Sequence, residues 1–88
     1  MFMTVRVICF YQPGCMGCME QTPINTEVAK DLNITIEEID AIKSQHFIKE
    51  FGLKVTPTII ILRDAVVLER FEGVTHTEQL KEAIKKYL

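Results

Sequence analysis

Two cysteines, Cys15 and Cys18, are the residues whose types and spacing are best suited to chemistry. The segment Cys15-Met16-Gly17-Cys18 follows a β-branched, apolar stretch and opens a stretch with helical periodicity. A thiol at a helix start faces unpaired N–H groups and the positive end of the helix dipole, which both stabilise a thiolate. Cys18 lies one turn further on, close enough to form a disulfide. The spacing predicts a redox-active pair in which Cys15 attacks and Cys18 resolves the mixed disulfide.

Other interpretations of the cysteine pair remain open at the level of sequence. Thiolates with neighbouring thioethers suit Cu(I), so a soft-metal carrier is the main alternative, although copper-carrier domains have methionine where this chain has Pro13. A zinc site needs four ligands, and one Cys-x-x-Cys motif supplies two. His46 and His76 are isolated and are predicted to be solvated surface residues. A redox-silent interaction module is the third interpretation, and the two intact cysteines argue against it.

The remaining sulfur-bearing residues near the pair are predicted to have structural or peripheral roles. Cys9 lies within an apolar strand pattern and is interpreted as a small buried hydrophobe. Met16 is expected to form an apolar rim for a docking peptide. Met19 is expected to pack into the core.

Strand and helix patterns alternate along the chain and place the cysteine pair between the first strand and the first helix. Pro23 lies inside the first helical pattern and is expected to kink it. The alternation, with a closing hairpin, predicts an α/β fold of order βαβαββα, a four-stranded mixed sheet with helices on both faces. The predicted strands are Val5–Tyr11, Ile34–Ile39, Thr58–Leu62 and Val66–Phe71, and the first helix runs from about Cys15 to Leu32.

The ends of the two later helices carry local signals. Ser44 is predicted to cap the second helix, and Gly52 to end it in the C′ position. The spacing of Thr75 and Glu78 predicts a capping box that opens the last helix. Its apolar face is predicted to be buried and consists of Leu80, Ala83, Ile84 and Tyr87. Glu37 and Glu38 are interpreted as charges that protect an edge strand from further pairing.

Length and composition exclude several classes of protein. The chain has 88 residues, with 48% apolar and 25% charged residues, which predicts one globular domain spanning residues 1–88. Ten basic and twelve acidic residues give a net charge of −2 without a basic run, so nucleic acid is not an expected partner. Apolar stretches such as Ile59–Leu62 are far shorter than the ~20 residues that span a bilayer. The first residues predict no signal peptide, and a cytoplasmic setting is expected.

The residues that carry the chemistry also resemble a known family. Residues 15–29, with a proline eight residues after the first cysteine, resemble the active-site helix of thioredoxins. Phe51–Thr58 is similar to the segment that leads into the family's cis-proline, here Pro57. Phe71-Glu72-Gly73 and the later Gln79–Glu82 are similar to the family's last strand, glycine loop and terminal helix. The resemblance covers nearly the whole chain and implies a thioredoxin-like fold.

The resemblance also implies an activity and a set of site residues. A thioredoxin-like protein-disulfide reductase would use Cys15 and Cys18 as catalytic residues, with no cofactor and no metal. Its partners would be disulfide-bearing proteins and a reductase or another dithiol donor, and a monomer is expected. The groove that binds the substrate is expected to be built from Tyr11, Met16, Thr56, Pro57 and Gly73, with the backbone at Thr56 pairing with an extended peptide.

Several positions depart from the family pattern. Gly14 stands where thioredoxins have a tryptophan before the first cysteine, and Met16-Gly17 replaces their Gly-Pro. The position of the family's buried aspartate holds Cys9, and the position of its partner lysine holds Glu38. The extra N-terminal strand and helix of full-length thioredoxins are missing, so the length resembles that of glutaredoxins. The glutaredoxin Thr-Val-Pro and glutathione-binding patterns are absent.

Overall fold

The computed structural model describes residues 5–88. Residues 1–4, on which the prediction of no signal peptide partly rests, lie outside the described part. The elements are β1 (Val5–Tyr11), α1 (Met16–Leu32), β2 (Ile36–Asp40), α2 (His46–Phe51), β3 (Thr58–Arg63), β4 (Val66–Glu72) and α3 (Thr77–Lys85). The predicted order βαβαββα is confirmed.

The four strands form one mixed sheet with the order β2-β1-β3-β4. The pairing of β1 with β2 is parallel, and β3 runs antiparallel to both β1 and β4. The predicted hairpin of the last two strands is therefore confirmed, as is the mixed sheet. Because α1 connects two parallel neighbours, it crosses over one face of the sheet, which brings its first turn to the end of β1.

Alternate residues of the two central strands are buried on opposite faces of the sheet. On one face, Val7, Cys9, Ile59 and Ile61 pack with residues of α1 and α3. On the other face, the neighbouring residues of the same strands pack against α2, where Phe47 and Phe51 complete the cluster. A strand that is covered on both faces becomes apolar along its whole length, as β1 and β3 are. Helices on both faces and a buried Cys9 are thus both confirmed.

The predicted cap at Ser44 is wrong. The N-cap residue of α2 is Gln45, which makes no side-chain cap hydrogen bond. A turn that starts at Asp40 occupies this segment instead: its carboxylate accepts the N–H groups of Ile42 and Lys43, and its carbonyl accepts the N–H of Ser44. The other end of α2 is as predicted, because Gly52 adopts the left-handed conformation with φ 59°.

The predicted capping box at Thr75 is also wrong. The N-cap residue of α3 is His76, without a side-chain cap hydrogen bond. Thr75 is buried, and its backbone N–H and carbonyl group both bond to the side-chain amide of Gln21 on α1. This tertiary contact holds Thr75 outside the helix, so α3 begins at Thr77. Leu80, Ala83 and Ile84 are buried as predicted, and Tyr87 is partly buried against the same cluster.

The edge strand β2 begins two residues later than predicted. The N–H of Ile34 donates to the carbonyl of Ala29, so Ile34 belongs to the closing turn of α1, where Asn33 is left-handed. Glu37 on this edge accepts two hydrogen bonds of 2.8 Å from Arg6, and the pair holds the pKa of Glu37 below its usual value. Within residues 5–88, no helix is both long and apolar enough to cross a membrane.

Candidate active site

Cys15 and Cys18 are joined by a disulfide at the start of α1. The sequence predicted a helix from about Cys15, and the structure places Cys15 at the N-cap, with Met16 as the first helical residue. The Cys15 sulfur accepts the backbone N–H of Cys18 at 3.1 Å. It thus occupies the place of a capping oxygen, next to the unpaired N–H groups of the first turn, where negative charge is stabilised.

The two sulfurs differ in their access to solvent. Cys15 is half-buried, whereas only 6% of Cys18 is exposed, because Cys18 faces inward from the first turn of α1. A partner molecule can therefore reach the sulfur of Cys15 far more readily than that of Cys18. This asymmetry is what an ordered exchange, with Cys15 first and Cys18 second, needs.

The loop before β3 lies directly against the Cys15 sulfur. The hydroxyl of Thr56 donates to this sulfur at 3.4 Å, and the carbonyl oxygen of Thr56 lies 3.4 Å from the same atom. The peptide bond between Thr56 and Pro57 is cis, and Pro57 is buried. The hydroxyl of Thr58 donates to the carbonyl of Val55 at 2.7 Å and thereby stabilises the conformation of the loop. Residues 41 positions apart in the chain thus meet at one sulfur.

A second loop, after β4, completes the surroundings of the disulfide. The N–H of Gly73 donates to the carbonyl of Pro57 at 2.8 Å, and Gly73 adopts φ +90°, which favours glycine. A Cβ atom at Gly17 would lie 3.1 Å from Cδ of Pro57 and 3.3 Å from Cγ2 of Val74. Glycine at position 17 therefore allows the start of α1 to pack closely on both loops. The sequence offered Gly17 only as a departure from a family pattern, so this packing role was missed.

The predicted groove residues do not all lie equally close to the disulfide. Thr56 contacts the Cys15 sulfur, and Pro57, the next residue in the same loop, bonds to Gly73. Met16, next to Cys15, is 79% exposed. Tyr11 ends β1 and is half-buried, with its carbonyl accepting the N–H of Ala41. Its contribution to the groove stays a prediction.

Met19 contradicts the sequence interpretation. It was expected to pack into the core, but 68% of it is exposed. On α1, Cys18 and Gln21 are the buried neighbours, so the face of the helix that carries Met19 points to solvent.

Gln21 is a residue of the site region that sequence reasoning missed. Its side chain is fully buried and bonds to both backbone groups of Thr75, which fixes the loop that carries Gly73 and Val74. It also donates to Asn25 Oδ1 at 3.0 Å. The available signal was its spacing: Gln21 lies three residues after Cys18 and four before Asn25, on the same helix face.

Cys9 lies on β1, below α1, and its thiol differs chemically from those of Cys15 and Cys18. Burial raises its pKa to about 11, against a smaller opposite effect of the Asn25 amide and a further increase from Glu38, its neighbour across the β1–β2 pair. The thiol is therefore protonated at neutral pH and a poor nucleophile. Among the described residues, no group of three or more His, Cys, Asp and Glu side chains could hold a metal ion. His46 and His76 are exposed, as predicted.

Comparisons with known proteins agree with this geometry. The family model described as Thioredoxin matches residues 3–86. Thioredoxin Y2 of Arabidopsis thaliana chloroplasts is 32% identical over 81 residues, a match that covers 90% of this chain and 48% of that protein. Thioredoxin of Bacillus subtilis is 28% identical over 81 residues, covering 90% of this chain and 78% of the relative.

A solved structure shares the fold over almost the whole chain. Thioredoxin-2 of the malaria parasite, described as a component of the protein secretion machinery, superposes with a TM-score of 0.90 at 28% identity, covering 99% of this chain and 86% of that one. This chain spans about half the length of the Arabidopsis relative. The match of the family model, the sheet order and the cysteine pair at the start of α1 lead to one conclusion: the chain belongs to the thioredoxin family.

Proposed function

We propose that this chain is a thiol–disulfide oxidoreductase that reduces disulfides of protein partners through Cys15 and Cys18. One observation carries the proposal: the two cysteines form a disulfide at the start of α1, with one sulfur accessible at the N-cap and the other buried. A disulfide that can form and break at a helix start has its more stable thiolate on the accessible side, where a partner arrives.

The reaction runs in two steps that balance in atoms and electrons. The Cys15 thiolate attacks one sulfur of the partner's disulfide, and the partner's other sulfur leaves as a thiolate that takes up a proton. Cys18 then loses its proton and attacks the Cys15 sulfur. The partner sulfur that was bonded to Cys15 leaves and takes up a proton to become a thiol. The partner gains two electrons, and this chain ends with the Cys15–Cys18 disulfide. A reductase or another dithiol donor returns it to the dithiol form.

The groove proposed for the partner lies along the two loops beside the disulfide. The strand β3 begins at Thr58, so the backbone of Val55 and Thr56 extends beyond the paired part of the sheet. An extended peptide can pair with such backbone groups by strand addition, which would hold its disulfide next to Cys15. Met16 and Gly73, together with the predicted Tyr11, would provide the sides of the groove, and the buried Pro57 would support the loop beneath it.

The remaining parts of the proposal concern the molecule as a whole. We place residues 1–88 in a single domain, because the two core clusters share the strands β1 and β3. A monomer and a cytoplasmic setting stay predictions from the sequence.

The test is a trapping experiment with a matched pair of variants. A Cys18→Ser variant keeps the attacking sulfur but cannot resolve the mixed disulfide, so it should accumulate covalent, reductant-sensitive adducts with protein partners in cells. The Cys15→Ser variant is the control and should give few adducts, because Cys18 is buried. Equal adduct yields from both variants would contradict the ordered mechanism.

The copper interpretation makes a different prediction in the same experiment. It is favoured by one observation, the exposure of the Met16 and Met19 thioethers close to Cys15. In a Cu(I) carrier, either cysteine substitution would lower copper binding by a similar amount, since each removes one of two thiolates. The absence of adducts from both variants, with copper retained by the unsubstituted protein after desalting, would establish this alternative.

A further inference from the structure

We propose that Gln21 is a positioning residue for the protein partner, because its side-chain amide holds one wall of the groove beside the disulfide in place. That wall belongs to residues 73–76, which connect the end of β4 to the start of α3 and are called the groove loop below. The inference rests on the proposed function and deepens it: the affinity for an extended partner segment depends on one buried side chain that touches neither the partner nor the reacting sulfurs.

The amide of Gln21 bonds to the groove loop as a neighbouring strand would. Its Oε1 accepts the backbone N–H of Thr75 at 2.7 Å, and its Nε2 donates to the carbonyl of Thr75 at 3.0 Å. Both residues are buried, with 0% of Gln21 and 3% of Thr75 exposed. Buried backbone groups need hydrogen-bond partners. For Thr75, one side chain on α1 supplies both of them.

Thr75 is followed by α3 and preceded by the two residues of the groove loop that lie next to the site. Gly73 and Val74 are both half-buried, so part of each is open to a partner. The N–H of Gly73 donates to the carbonyl of Pro57, and Cγ2 of Val74 lies 3.3 Å from the place of a Cβ atom at Gly17. Because the backbone is continuous, a movement of Thr75 would also move Val74 and Gly73.

Without the amide, the groove loop would have a reason to leave its place. The N–H and carbonyl of Thr75 would be buried without partners, which is costly, and turning outward to water would relieve that cost. A partner would then bind only the fraction of molecules with an intact groove wall, or it would have to order the loop on binding. Either way its apparent affinity falls.

The chemistry at the sulfurs should not depend on Gln21. The hydrogen bonds of its side chain go to the backbone of Thr75 and to Oδ1 of Asn25. The Cys15 sulfur accepts instead from the backbone N–H of Cys18 and from the loop before β3. A small disulfide that reaches Cys15 without lying along the groove should therefore react equally well with or without the amide. This difference separates a positioning role from a catalytic one.

The experiment compares two variants with the unsubstituted protein. Gln21→Met keeps an unbranched side chain of similar length without the amide. Asn25→Leu is the matched control, because Asn25 is also buried, lies one turn further along the same face of α1, and makes no bond to Thr75. It borders a cavity beside β2, so a leucine has room there.

The reaction is the single-turnover oxidation of each reduced protein. One substrate is a synthetic extended peptide that carries one disulfide, and the other is hydroxyethyl disulfide. In both reactions the added disulfide takes up two electrons and two protons and becomes two thiols, while Cys15 and Cys18 form their disulfide. The rate at a series of peptide concentrations gives the maximal rate and the concentration at half of it. Amide hydrogen exchange of Thr75 is the second readout.

For Gln21→Met, we expect the peptide concentration at half-maximal rate to rise about tenfold, which is the effect of ordering the backbone of one more residue on binding. The maximal rate with the peptide and the rate with hydroxyethyl disulfide should stay unchanged. The amide of Thr75 should exchange faster. Asn25→Leu should leave all of these values as they are. Gln21→Leu replaces Gln21→Met in every measurement if the methionine variant does not fold.

Two results would overturn the inference. One is a variant without the amide whose half-maximal peptide concentration equals that of the unsubstituted protein. The other is an equal loss of rate with the peptide and with hydroxyethyl disulfide, which would assign the effect to the cysteines or to the stability of the whole fold. Failure of the proposed function has a different signature, namely an unsubstituted protein that leaves the peptide oxidised and forms no adducts in the trapping experiment. Amide exchange needs no partner, so it tests the hold on the groove loop independently.

Discussion

The three cysteines of this chain lie in three different environments. Cys15 is half-buried at the N-cap of α1, Cys18 is buried in its first turn, and Cys9 is buried in the core on the central strand. Thiolate reactivity depends on access and on the stability of the charged form, and both favour Cys15. The position of each sulfur in the fold, rather than the number of cysteines, determines which of them can exchange.

The reduced protein should therefore carry one fast thiol. At neutral pH we expect Cys15 to be alkylated well before Cys18, and Cys9 to be labelled only slowly, because its thiol is buried and protonated. Short pulses of iodoacetamide, followed by peptide mapping by mass spectrometry, measure the order. Denatured protein is the control, in which the three rates should converge. Preferential labelling of Cys9 in the folded protein would refute the assignment.

The buried thiol of Cys9 should also make stability depend on alkaline pH. Its pKa in the fold is raised from the ordinary value of 9.0 to about 11, so with rising pH the unfolded chain loses this proton first. The contribution of Cys9 is fully present below pH 9 and is lost as the pH rises toward 11. In the oxidised protein, where the other two cysteines do not titrate, the loss should reach up to about 2 kcal/mol.

The measurement is urea unfolding between pH 7 and about pH 11, compared with a Cys9→Ala variant. The variant is less stable at neutral pH because it leaves a small cavity, but it lacks the titrating thiol. The gap in unfolding free energy between the two proteins should therefore narrow above pH 9, the ordinary value of the thiol. Curves that stay parallel over the whole range would show that the thiol has the same pKa in both states.

At the scale of helices and strands, the predictions that the structure confirms are those that depend on the local pattern of residues. The alternation of apolar residues gave the order βαβαββα, and Gly52 ended α2 because a left-handed residue is needed there. The predicted caps at Ser44 and Thr75 failed because other groups took over their backbone: Asp40 in one case and Gln21 in the other. Asp40 lies only four residues before Ser44, so there one local turn displaced another. Gln21 lies 54 positions from Thr75, and such a distant partner gives no signal in a local spacing.

In the candidate site too, local spacing predicts some features and not the contacts between distant residues. The cysteine pair and its place at a helix start were readable from spacing, and the meeting with Thr56 and Pro57 was implied only by family resemblance. The hydrogen bond from the Thr56 hydroxyl to Cys15 joins residues 41 positions apart and depends on one rotamer. No pattern in the sequence specifies such a contact. Met19 was misassigned because a methionine suits both a core and an exposed rim.

Gln21 connects α1 to the loop before α3, and its removal should be costly. Gln21→Leu keeps a similar volume but leaves the buried N–H and carbonyl of Thr75 without partners. An unpaired buried polar group costs about 1–3 kcal/mol, so we expect the unfolding free energy to fall by about 2 kcal/mol or more. Gln45→Leu is the control, since Gln45 is exposed and makes no cap hydrogen bond. Equal stability of both variants in urea unfolding would contradict the role of Gln21.

Arg70 on β4 fixes the end of α2, the element that precedes the Thr56 loop. Its guanidinium donates to the carbonyls of Phe51 and Gly52, two groups that the helix end leaves without intrahelical partners. Arg70→Met retains the apolar stem and should lower the unfolding free energy by about 1 kcal/mol. Amide exchange should also become faster around Gly52. Glu72→Gln, which removes only the ion pair of Arg70, is the control and should change little.

At the scale of the whole molecule, the redox state of one pair of sulfurs and the stability of the fold are linked. Cys15 and Cys18 close a loop with a sequence separation of only 3, so the disulfide restricts the unfolded chain modestly. The chain-entropy relation gives about 2 kcal/mol for so short a loop. If the protein acts as a reductant, the fold must favour the disulfide over the dithiol more strongly than the unfolded chain does.

We therefore expect the oxidised protein to be more stable than the reduced protein by about 2 kcal/mol, measured by urea unfolding with and without dithiothreitol. The Cys18→Ser variant cannot form the bond and is the control, which should show no difference between the two conditions. A reduced form that is more stable than the oxidised form would identify the protein as an oxidant, since a fold that stabilises its dithiol gives up the disulfide readily.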